Sequence, residues 1–499
     1  MKEKVMQGKP YAGNPHVRFD EGTGASVRSG RSALRYKLTT RDFIKLGGGA
    51  LGGMAMPVWA GKGKEAPYPG PKVRLAAIGT GGQAGGDLRN FLRTGMAEIV
   101  CAADVYEPAL DWLKKAQPNA KLYRDYRKML ADFAGKFDAV TVIVPDHSHC
   151  VAFLEALKHK VPVFCEKPLG HTFAETVAMM RKAKEAGIIT QVGMQGNSFP
   201  GTQTLREWME SGELGQAEEA HIYCNSVRYF YSEDPTFIGQ AEPVPKGLDW
   251  ELWQGPIGTR RPFFKGIAPG GRWRSWYPYG EGCFADWCCH LLGPLVTALD
   301  LDLPTAVTVD APGFDPAKTP HSFPTNPHYT LEFPARGGRK AFTVHWYDVN
   351  RTAPRPAALE ADQPFDPLTS GWSGAWVQCE KETLMYGSHG ASGLRVVPQA
   401  RMRTFKRPPQ KYPRVRNHYA EFLQAVLEKR PANTPFELAG KITLMGLMGT
   451  IATRFPGRRL AFDGAKMRFV DCAEANALLL PDWSSDAIST YGEALAQGC

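Results

Sequence analysis

The 499-residue chain has no run of 18 uninterrupted apolar residues, which excludes an ordinary membrane-spanning helix from its body. Its ten cysteines include no C-x-x-C pair, which argues against a zinc site of that pattern and against a disulfide framework. Acidic residues are scarce only near the start. Residues 1–70 hold 12 Lys+Arg against 5 Asp+Glu, while the whole chain holds 60 against 50. The body is therefore nearly neutral, and the formal charge of +10 does not make a nucleic-acid surface. What is present, 43% hydrophobic and 22% charged residues, fills two or three domain cores and excludes a disordered or fibrous chain.

The first 45 residues are polar and basic, with no periodic apolar face. Leu46 to Ala60 follows as a weakly apolar, glycine-rich stretch after Thr39-Thr40-Arg41-Asp42-Phe43-Ile44-Lys45. This resembles a twin-arginine export signal in which Thr40 replaces the first arginine, with Val58 and Ala60 at the −3 and −1 sites of a signal peptidase. The expectation is export of a folded protein to the periplasm. The alternative is a disordered arm on a cytoplasmic protein.

After a Gly/Pro/Lys linker, Val73 to Ile78 reads as a buried strand running into Gly79-Thr80-Gly81-Gly82-Gln83-Ala84-Gly85. The spacing fits G-x-G-x-x-(G/A) between a strand and a helix expected over Asp87 to Arg93. Gly79 permits the tight turn, Gly81 lets the backbone approach a pyrophosphate, and Ala84 lets helix and strand pack closely, with the helix N-terminus aimed at the phosphates. Thr80, Gly82 and Gln83 complete this loop. A second strand, Glu98 to Ala103, ends at Asp104, twenty residues after Ala84, where a carboxylate meets the adenosine ribose hydroxyls. No basic residue follows directly, which favours NAD over NADP.

Further expected elements alternate: helix Tyr126 to Phe133, strand Ala139 to Val144, amphipathic helix Val151 to Lys158, strand Val161 to Cys165, helix Phe173 to Gly187 and strand Ile188 to Gly193. Such alternation predicts an α/β chain with a doubly wound parallel sheet, whose ligands bind at the C-terminal strand ends. Polar clusters sit at those ends: Pro145-Asp146-His147-Ser148-His149, Glu166-Lys167-Pro168, and Gln195 with Asn197. Downstream, Asp286 and His290 are four residues apart, so a helix would place carboxylate and imidazole on one face. With a reference pKa of about 6.5, His290 suits a general base. Pro294, if that helix continued, would free the carbonyl of His290.

The Gly79 fingerprint, Pro145 to His149, Glu166-Lys167-Pro168, and Asp286 with His290 together resemble the glucose-fructose oxidoreductase and inositol dehydrogenase family (Gfo/Idh/MocA). The resemblance extends from Val73 to the Asn476-Ala477-Leu478-Leu479 region. It implies a second α+β domain with an open, mostly antiparallel sheet that covers the site and supports homo-oligomers. The implied layout is leader 1–60, linker 61–72, Rossmann domain 73–194, substrate and oligomerisation domain 195–480, and tail 481–499. It further implies that Lys167 lies beside the substrate hydroxyl and nicotinamide ribose, that Glu166 contacts the cofactor, and that Pro168 fixes the turn, through a cis or a trans bond. The family usually has an acidic residue three positions after the histidine; Gly293 stands there.

Three further features have two readings each. Cys283, Cys288, Cys289 and His290 read weakly as a zinc cluster, because adjacent cysteines diverge on a helix; no metal is expected. Trp250, Trp253, Trp273, Trp276, Tyr277 and Tyr279, interleaved with Arg272 and Arg274, read as sugar-stacking rings or as core. Arg401 to Arg416 holds seven basic and no acidic residues, a solvated surface or a polyanion contact. The reading as a whole is an NAD-dependent oxidoreductase on a secondary hydroxyl of a sugar, glycoside or cyclic polyol, with Lys167, Asp286 and His290 catalytic. The cofactor sites are Gly79 to Ala84, Asp104, Pro145, Asp146, His149, Glu166, Lys167 and Gln195, with NAD held tightly if the protein is exported. The rivals are an oxidation–elimination glycosidase that recycles NAD, and a non-catalytic sugar- or polyanion-binding protein.

Overall fold

The computed structural model describes residues 68–224, 240–264, 267–365, 373–415 and 417–496. The leader signal around Thr39–Lys45 and Leu46–Ala60, linker residues 61–67, and Arg416 lie outside the described residues.

Six strands form one wholly parallel sheet: β1 (Val73–Ile78), β2 (Ala97–Ala103), β3 (Lys121–Tyr123), β4 (Ala139–Val142), β5 (Val163–Cys165) and β6 (Thr190–Val192), in the order β3-β2-β1-β4-β5-β6. The order reverses between β1 and β4, so the crevice at their C-terminal ends is the switch point where such sheets bind ligands. The four longest helices between these strands are α1 (Gly82–Arg93), α2 (Tyr126–Asp132), α3 (His149–Leu157) and α4 (Phe173–Ala186).

Two of these depart from expectation. Helix α1 starts five residues earlier than its glycines suggest, because packing overrides their low propensity: Ala84, Leu88 and Phe91 are buried against the sheet. Helix α3 is buried on most of its surface rather than amphipathic, as it lies between the sheet and α4. Thr172 and Glu175 form a capping box at the start of α4, and Gly187 ends it in the left-handed conformation.

The second sheet has nine strands: β7 (Ala217–Cys224), β8 (Ala306–Asp310), β9 (His328–Phe333), β10 (Phe342–Asp348), β11 (Gly374–Cys379), β12 (Thr383–Gly387), β13 (Ser392–Val397), β14 (Leu460–Asp463) and β15 (Arg468–Phe469). Their order is β13-β12-β11-β7-β10-β9-β8-β14-β15, antiparallel except for the central β7–β10 pair. Against it pack α5 (Gly282–Leu291) and α8 (Phe436–Ala452), with α6 (Gly293–Leu299) lying on the helix Pro200–Glu210 and α7 (His418–Glu428) lying on α1. Fully buried Phe284 of α5 meets Tyr329 of β9 and Trp346 of β10 with ring centroids 4.5 and 4.9 Å apart. Truncating a buried phenylalanine of this kind costs about 3–5 kcal/mol.

Helix α5 reaches its place because α8 presents glycine to it: a Cβ at Gly446 would stand 2.8 Å from Ala285 Cα. The chain then bends by 46° between α5 and α6, with Pro294 in the first turn of the new helix. The helix therefore does not continue through Pro294, and the His290 carbonyl accepts from Gly390 N–H at 3.5 Å.

Candidate active site

The glycine turn is fixed from three sides. Gly79 has φ +88°, and a Cβ there would collide with the Ile143 carbonyl oxygen. Asp104 Oδ2 accepts from Thr80 N–H at 2.8 Å, Gly81 N–H at 3.1 Å and the Thr80 hydroxyl at 3.1 Å, while Oδ1 accepts from Tyr106 N–H at 2.9 Å. Asp104 thus braces the turn as well as standing at the end of β2. Oδ1 retains lone-pair capacity for a hydroxyl, whereas Oδ2 is saturated.

Beside the turn lies an open cavity of about 740 Å³ lined by Thr80, Gly81, Gly82, Arg89, Trp112 and Lys115, among others. The N-terminus of α1 carries no side-chain cap, which leaves its amides for an anion. These features fit a dinucleotide phosphate. Arg89 and Lys115 are basic groups that the residues after Asp104 do not reveal. Arg89 already donates to Gly85 O at 2.8 Å and stacks on Trp112 at 4.1 Å.

At the ends of β4 and β5 the polar clusters separate into different tasks. His149 is wholly buried, its Nδ1 2.8 Å from Pro168 O and its Nε2 2.8 Å from Val144 O. Burial pushes it down to about 4. Both nitrogens face backbone carbonyls, so neither is open to a cofactor, and the neutral ring donates its one N–H to one of the two strand-end loops. Asp146 is buried within electrostatic reach of Arg274, Asp286 and Lys167. Burial, with Asp286 adding to it, lifts its carboxyl well above the ordinary range against the pull of Arg274 and Lys167.

Lys167 and Asp286 form the centre. Lys167 Nζ lies 2.6 Å from Asp286 Oδ1 and 3.2 Å from the Asp286 carbonyl. Arg274 Nε stands 3.6 Å from Asp286 Oδ2. The Lys167–Pro168 peptide is cis. Burial works against the Lys167 ammonium, but Asp286, then Cys289 and Glu166, outweigh it and hold the lysine above its usual range. The group stays charged, fit to donate to an oxyanion and unfit as a base.

One turn beyond Asp286, the buried His290 ring stacks on His389 at 4.2 Å, and Trp287 meets both imidazoles edge-on. His389, with φ +58°, lies in the β12–β13 hairpin loop, which docks on the segment after β6: a Cβ on either Gly196 or Gly390 would strike the other loop's backbone. His389 was not legible as a site residue, because only a turn signal marks its loop.

Glu166 enters a second cluster. Its Oε2 accepts from Lys167 N–H at 3.0 Å and its Oε1 from Gln195 at 3.2 Å. Tyr419 donates to Asp87 Oδ1 at 2.6 Å, and Gln83 donates to the same oxygen at 2.9 Å. Burial raises Asp87 to about 6, opposed by hydrogen bonds from Tyr419, Glu166 and Gln83, and burial with Asp87 lifts Glu166 well above the ordinary range. Asp87 has a sequence signal in retrospect: it falls on the α1 face of Ala84 and Phe91, which periodicity turns inward.

Other expectations change. Trp250, Trp253, Trp273, Trp276 and Tyr279 are buried in a core cluster of their own with Phe263 and Phe264, so they are packing rather than an open sugar platform. Tyr277 instead sits under the Arg454 guanidinium at 4.5 Å. Arg274 serves Asp286. A Cβ at position 293 would make ordinary contacts with the side-chain ends of Met194 and Ile442, at 3.4 and 3.5 Å. Cys283 faces Cys224 with sulfurs 3.5 Å apart, Cys288 faces the Ala285 and Ile442 carbonyls, and Cys289 faces its own helix turn. These three do not converge. In the basic run, Arg401 pairs with Glu382, Lys411 with Glu210 and Arg414 with Glu207.

Residues 73–194 match the family model described as "Oxidoreductase family, NAD-binding Rossmann fold" of the Gfo/Idh/MocA type. An inositol 2-dehydrogenase of Burkholderia lata is 30% identical over 38% of this chain and 57% of its own length. The 2,7-anhydro-N-acetylneuraminate hydratase of Escherichia coli is 34% identical over 18% of this chain and 24% of its own length. The chain thus matches between about a quarter and just over half of the length of these curated relatives. Among solved structures, the WlbA dehydrogenase from Bordetella pertussis in complex with NADH and UDP-GlcNAcA aligns over 79% of this chain and 99% of its own, with TM-score 0.51 and 14% identity. The aldose-aldose oxidoreductase from Caulobacter crescentus aligns over 78% and 100%, with TM-score 0.52 and 15% identity. These structural likenesses establish a shared two-sheet fold, and the match to the oxidoreductase family model is confined to the Rossmann domain, residues 73–194.

Proposed function

We propose that the protein is an NAD(H)-dependent oxidoreductase acting on a secondary hydroxyl of a sugar, glycoside or cyclic polyol. The observation that carries this reading is the 2.6 Å contact between Lys167 and Asp286. It brings a permanently charged donor at the end of β5 against a helix that bears an imidazole one turn further on. When bound, the nicotinamide supplies the hydride acceptor or donor. Lys167 donates to the reacting oxygen and stabilises negative charge developing on it. His290 takes the hydroxyl proton, and Asp286, clamped by Lys167 and Arg274, orients the lysine and a second hydroxyl. The inositol dehydrogenase relative supports a polyol or sugar substrate. The test is oxidation of a panel of cyclitols, aldoses and glycosides followed by NADH absorbance, repeated with Lys167→Ala. Retained binding with unchanged turnover in that variant would exclude the mechanism.

NAD is favoured over NADP, because a 2′-phosphate beside Asp104 would meet a carboxylate. Calorimetric titration should show clear preference for NAD; equal affinity for NADP would overturn the assignment. A second reading is supported by the match to a hydratase: oxidation, elimination and return of the hydride, without net redox change. Release of an aglycone with no NADH accumulation would select it. On either reading the protein is exported through its twin-arginine-like leader and keeps NAD through many turnovers, since the periplasm has no evident pool. Cell fractionation, and activity after desalting without added NAD, test this.

A further inference from the structure

The second sheet has two unlike faces. Along β10, Val344 and Trp346 turn toward α5 and the core, while Thr343, His345 and Tyr347 turn the other way. On that opposite face, His221 of β7 stands in register with His345 of β10 and with Trp376 of β11, and Glu219 precedes His221 by two residues on the same side. His328 of β9, in register with Tyr347, completes the group.

The ring planes run nearly parallel. Trp376 stacks on His221 at 3.9 Å and 12°, His221 on His345 at 4.8 Å, and His328 on Tyr347 at 4.6 Å. Stacking fixes the imidazoles about χ2 and leaves their nitrogens aimed in the plane of the rings. Both Nε2 atoms face one carboxylate: His221 Nε2 is 3.3 Å from Glu219 Oε1, and His345 Nε2 is 3.9 Å from Glu219 Oε2. The three potential ligand atoms lie within 4.8 Å of one another. His221 is only 7% exposed. Its Nε2 is buried and makes no hydrogen bond, because Glu219 Oε1, though near enough, is misdirected for one.

Both Nδ1 atoms already have partners, Tyr347 Oη at 2.9 Å for His221 and His328 Nε2 at 3.2 Å for His345. A metal-binding histidine needs this arrangement: one nitrogen held by an outer hydrogen bond, the other presented as a lone pair. The geometry points to a binding site for one zinc-class divalent cation, held by Glu219, His221 Nε2 and His345 Nε2, with water in the fourth position. In tetrahedral zinc sites the metal–nitrogen distance of about 2.0–2.1 Å sets neighbouring ligand atoms about 3.3 Å apart. The His221–Glu219 separation already matches. Glu219, with its side chain 43% exposed, can swing to close the remaining gap without backbone movement and leaves an entry path. Two imidazoles and a carboxylate suit zinc or a neighbouring transition metal rather than calcium or magnesium. The sheet itself separates this site from Lys167 and Asp286, so its role is to brace the central strands.

The test uses the full chain, stripped with a chelator and dialysed, titrated with zinc chloride by calorimetry and with cobalt(II) by absorbance. Wild type should bind one equivalent of zinc, and the cobalt form should show tetrahedral d–d bands without a thiolate charge-transfer band. Glu219→Gln and His345→Gln, both at partly exposed positions, should each weaken zinc about 100-fold while the circular dichroism stays unchanged. Tyr347→Phe, which removes only the outer hydrogen bond, should weaken it about 10-fold. Three results would each overturn the proposal: no zinc uptake at 100 μM, unchanged affinity in both ligand variants, or a thiolate band. The last would assign the metal instead to buried Cys224, Cys283 and Asp348.

Discussion

Glu166 and Lys167 are adjacent in the chain, yet they enter buried clusters of opposite character. Lys167 joins Asp286 and Arg274, where the Asp286 carboxylate faces two cations. Glu166 joins Asp87, Gln195, Tyr419 and Gln83, where two carboxyls are enclosed with neutral hydrogen-bond donors. The first arrangement preserves charge on the ammonium; the second favours proton retention on the acids. A single turn after β5 thus separates a permanently charged group, able to stabilise an oxyanion, from acids that burial holds above the ordinary carboxylate range.

The largest expected effect falls on the charged side. Lys167→Ala and His290→Ala should each lower turnover by about 10² or more on any substrate the wild type oxidises, while NAD binding measured by calorimetry persists. Lys167→Ala also leaves Asp286, with its side chain 2% exposed, without its nearest cation. Breaking a buried pair of this kind costs about 3–5 kcal/mol, so a fall in Tm should accompany the loss of rate. Turnover at the wild-type level in either variant would remove that residue from the mechanism.

Next comes the glycine turn beside the cavity. Gly79→Ala places a methyl group against the Ile143 carbonyl at a positive φ. NAD affinity should fall at least about 10-fold, with kcat on bound cofactor less affected than KM for NAD. An unchanged NAD isotherm would show that the turn has another way to relax.

The pH dependence of stability should separate the two clusters. Asp87 titrates at about 6 in the folded chain, against about 3.9 when unfolded. Between those values the folded state holds the extra proton, so stability falls as pH rises from about 4 to 6, by at most about 3 kcal/mol. Asp87→Asn should remove this contribution from the urea-midpoint curve across that window and raise stability at pH 7. Lys167 contributes no slope there. Its folded value is raised, so its stabilisation is complete below the unfolded value of about 10.4 and is lost only at more alkaline pH. An Asp87→Asn curve parallel to wild type would refute the proton-retaining assignment.

The parallel sheet was legible because its strands are short apolar runs and its turns carry glycine at fixed spacing; Val73–Ile78 needed no adjustment. Lys167 and Asp286 were legible only through the family motifs, since 119 residues separate them and no periodicity joins them. Three things were hidden for physical reasons. Tyr419 reaches Asp87 across 332 residues, His389 depends on two loops docking, and the tryptophans before Asp286 are core because they pack on one another. Composition could not separate that packing from an open binding surface.

The smallest expected effect concerns the basic run, where cations held by buried acids can be compared with cations on its exposed stretch. Arg414 donates to both carboxylate oxygens of Glu207, at 3.0 and 2.6 Å, and Glu207 has its side chain 3% exposed. Lys411 and Tyr412 N–H groups also donate to Glu207, at 2.8 and 3.0 Å. With burial opposing them, these bonds hold its carboxyl below the ordinary range. Arg414→Ala would leave two backbone donors on a carboxylate stripped of its cation, and should cost about 1.5–3 kcal/mol, the range for a hydrogen bond to a charged group. Arg403→Ala with Arg407→Ala removes cations on the exposed stretch and should change stability by less than about 0.5 kcal/mol. Urea midpoints of the two variants measure the contrast. If the run were instead a polyanion site, the double variant would elute from heparin at markedly lower salt than wild type, whereas a surface whose main cations serve internal acids predicts little change.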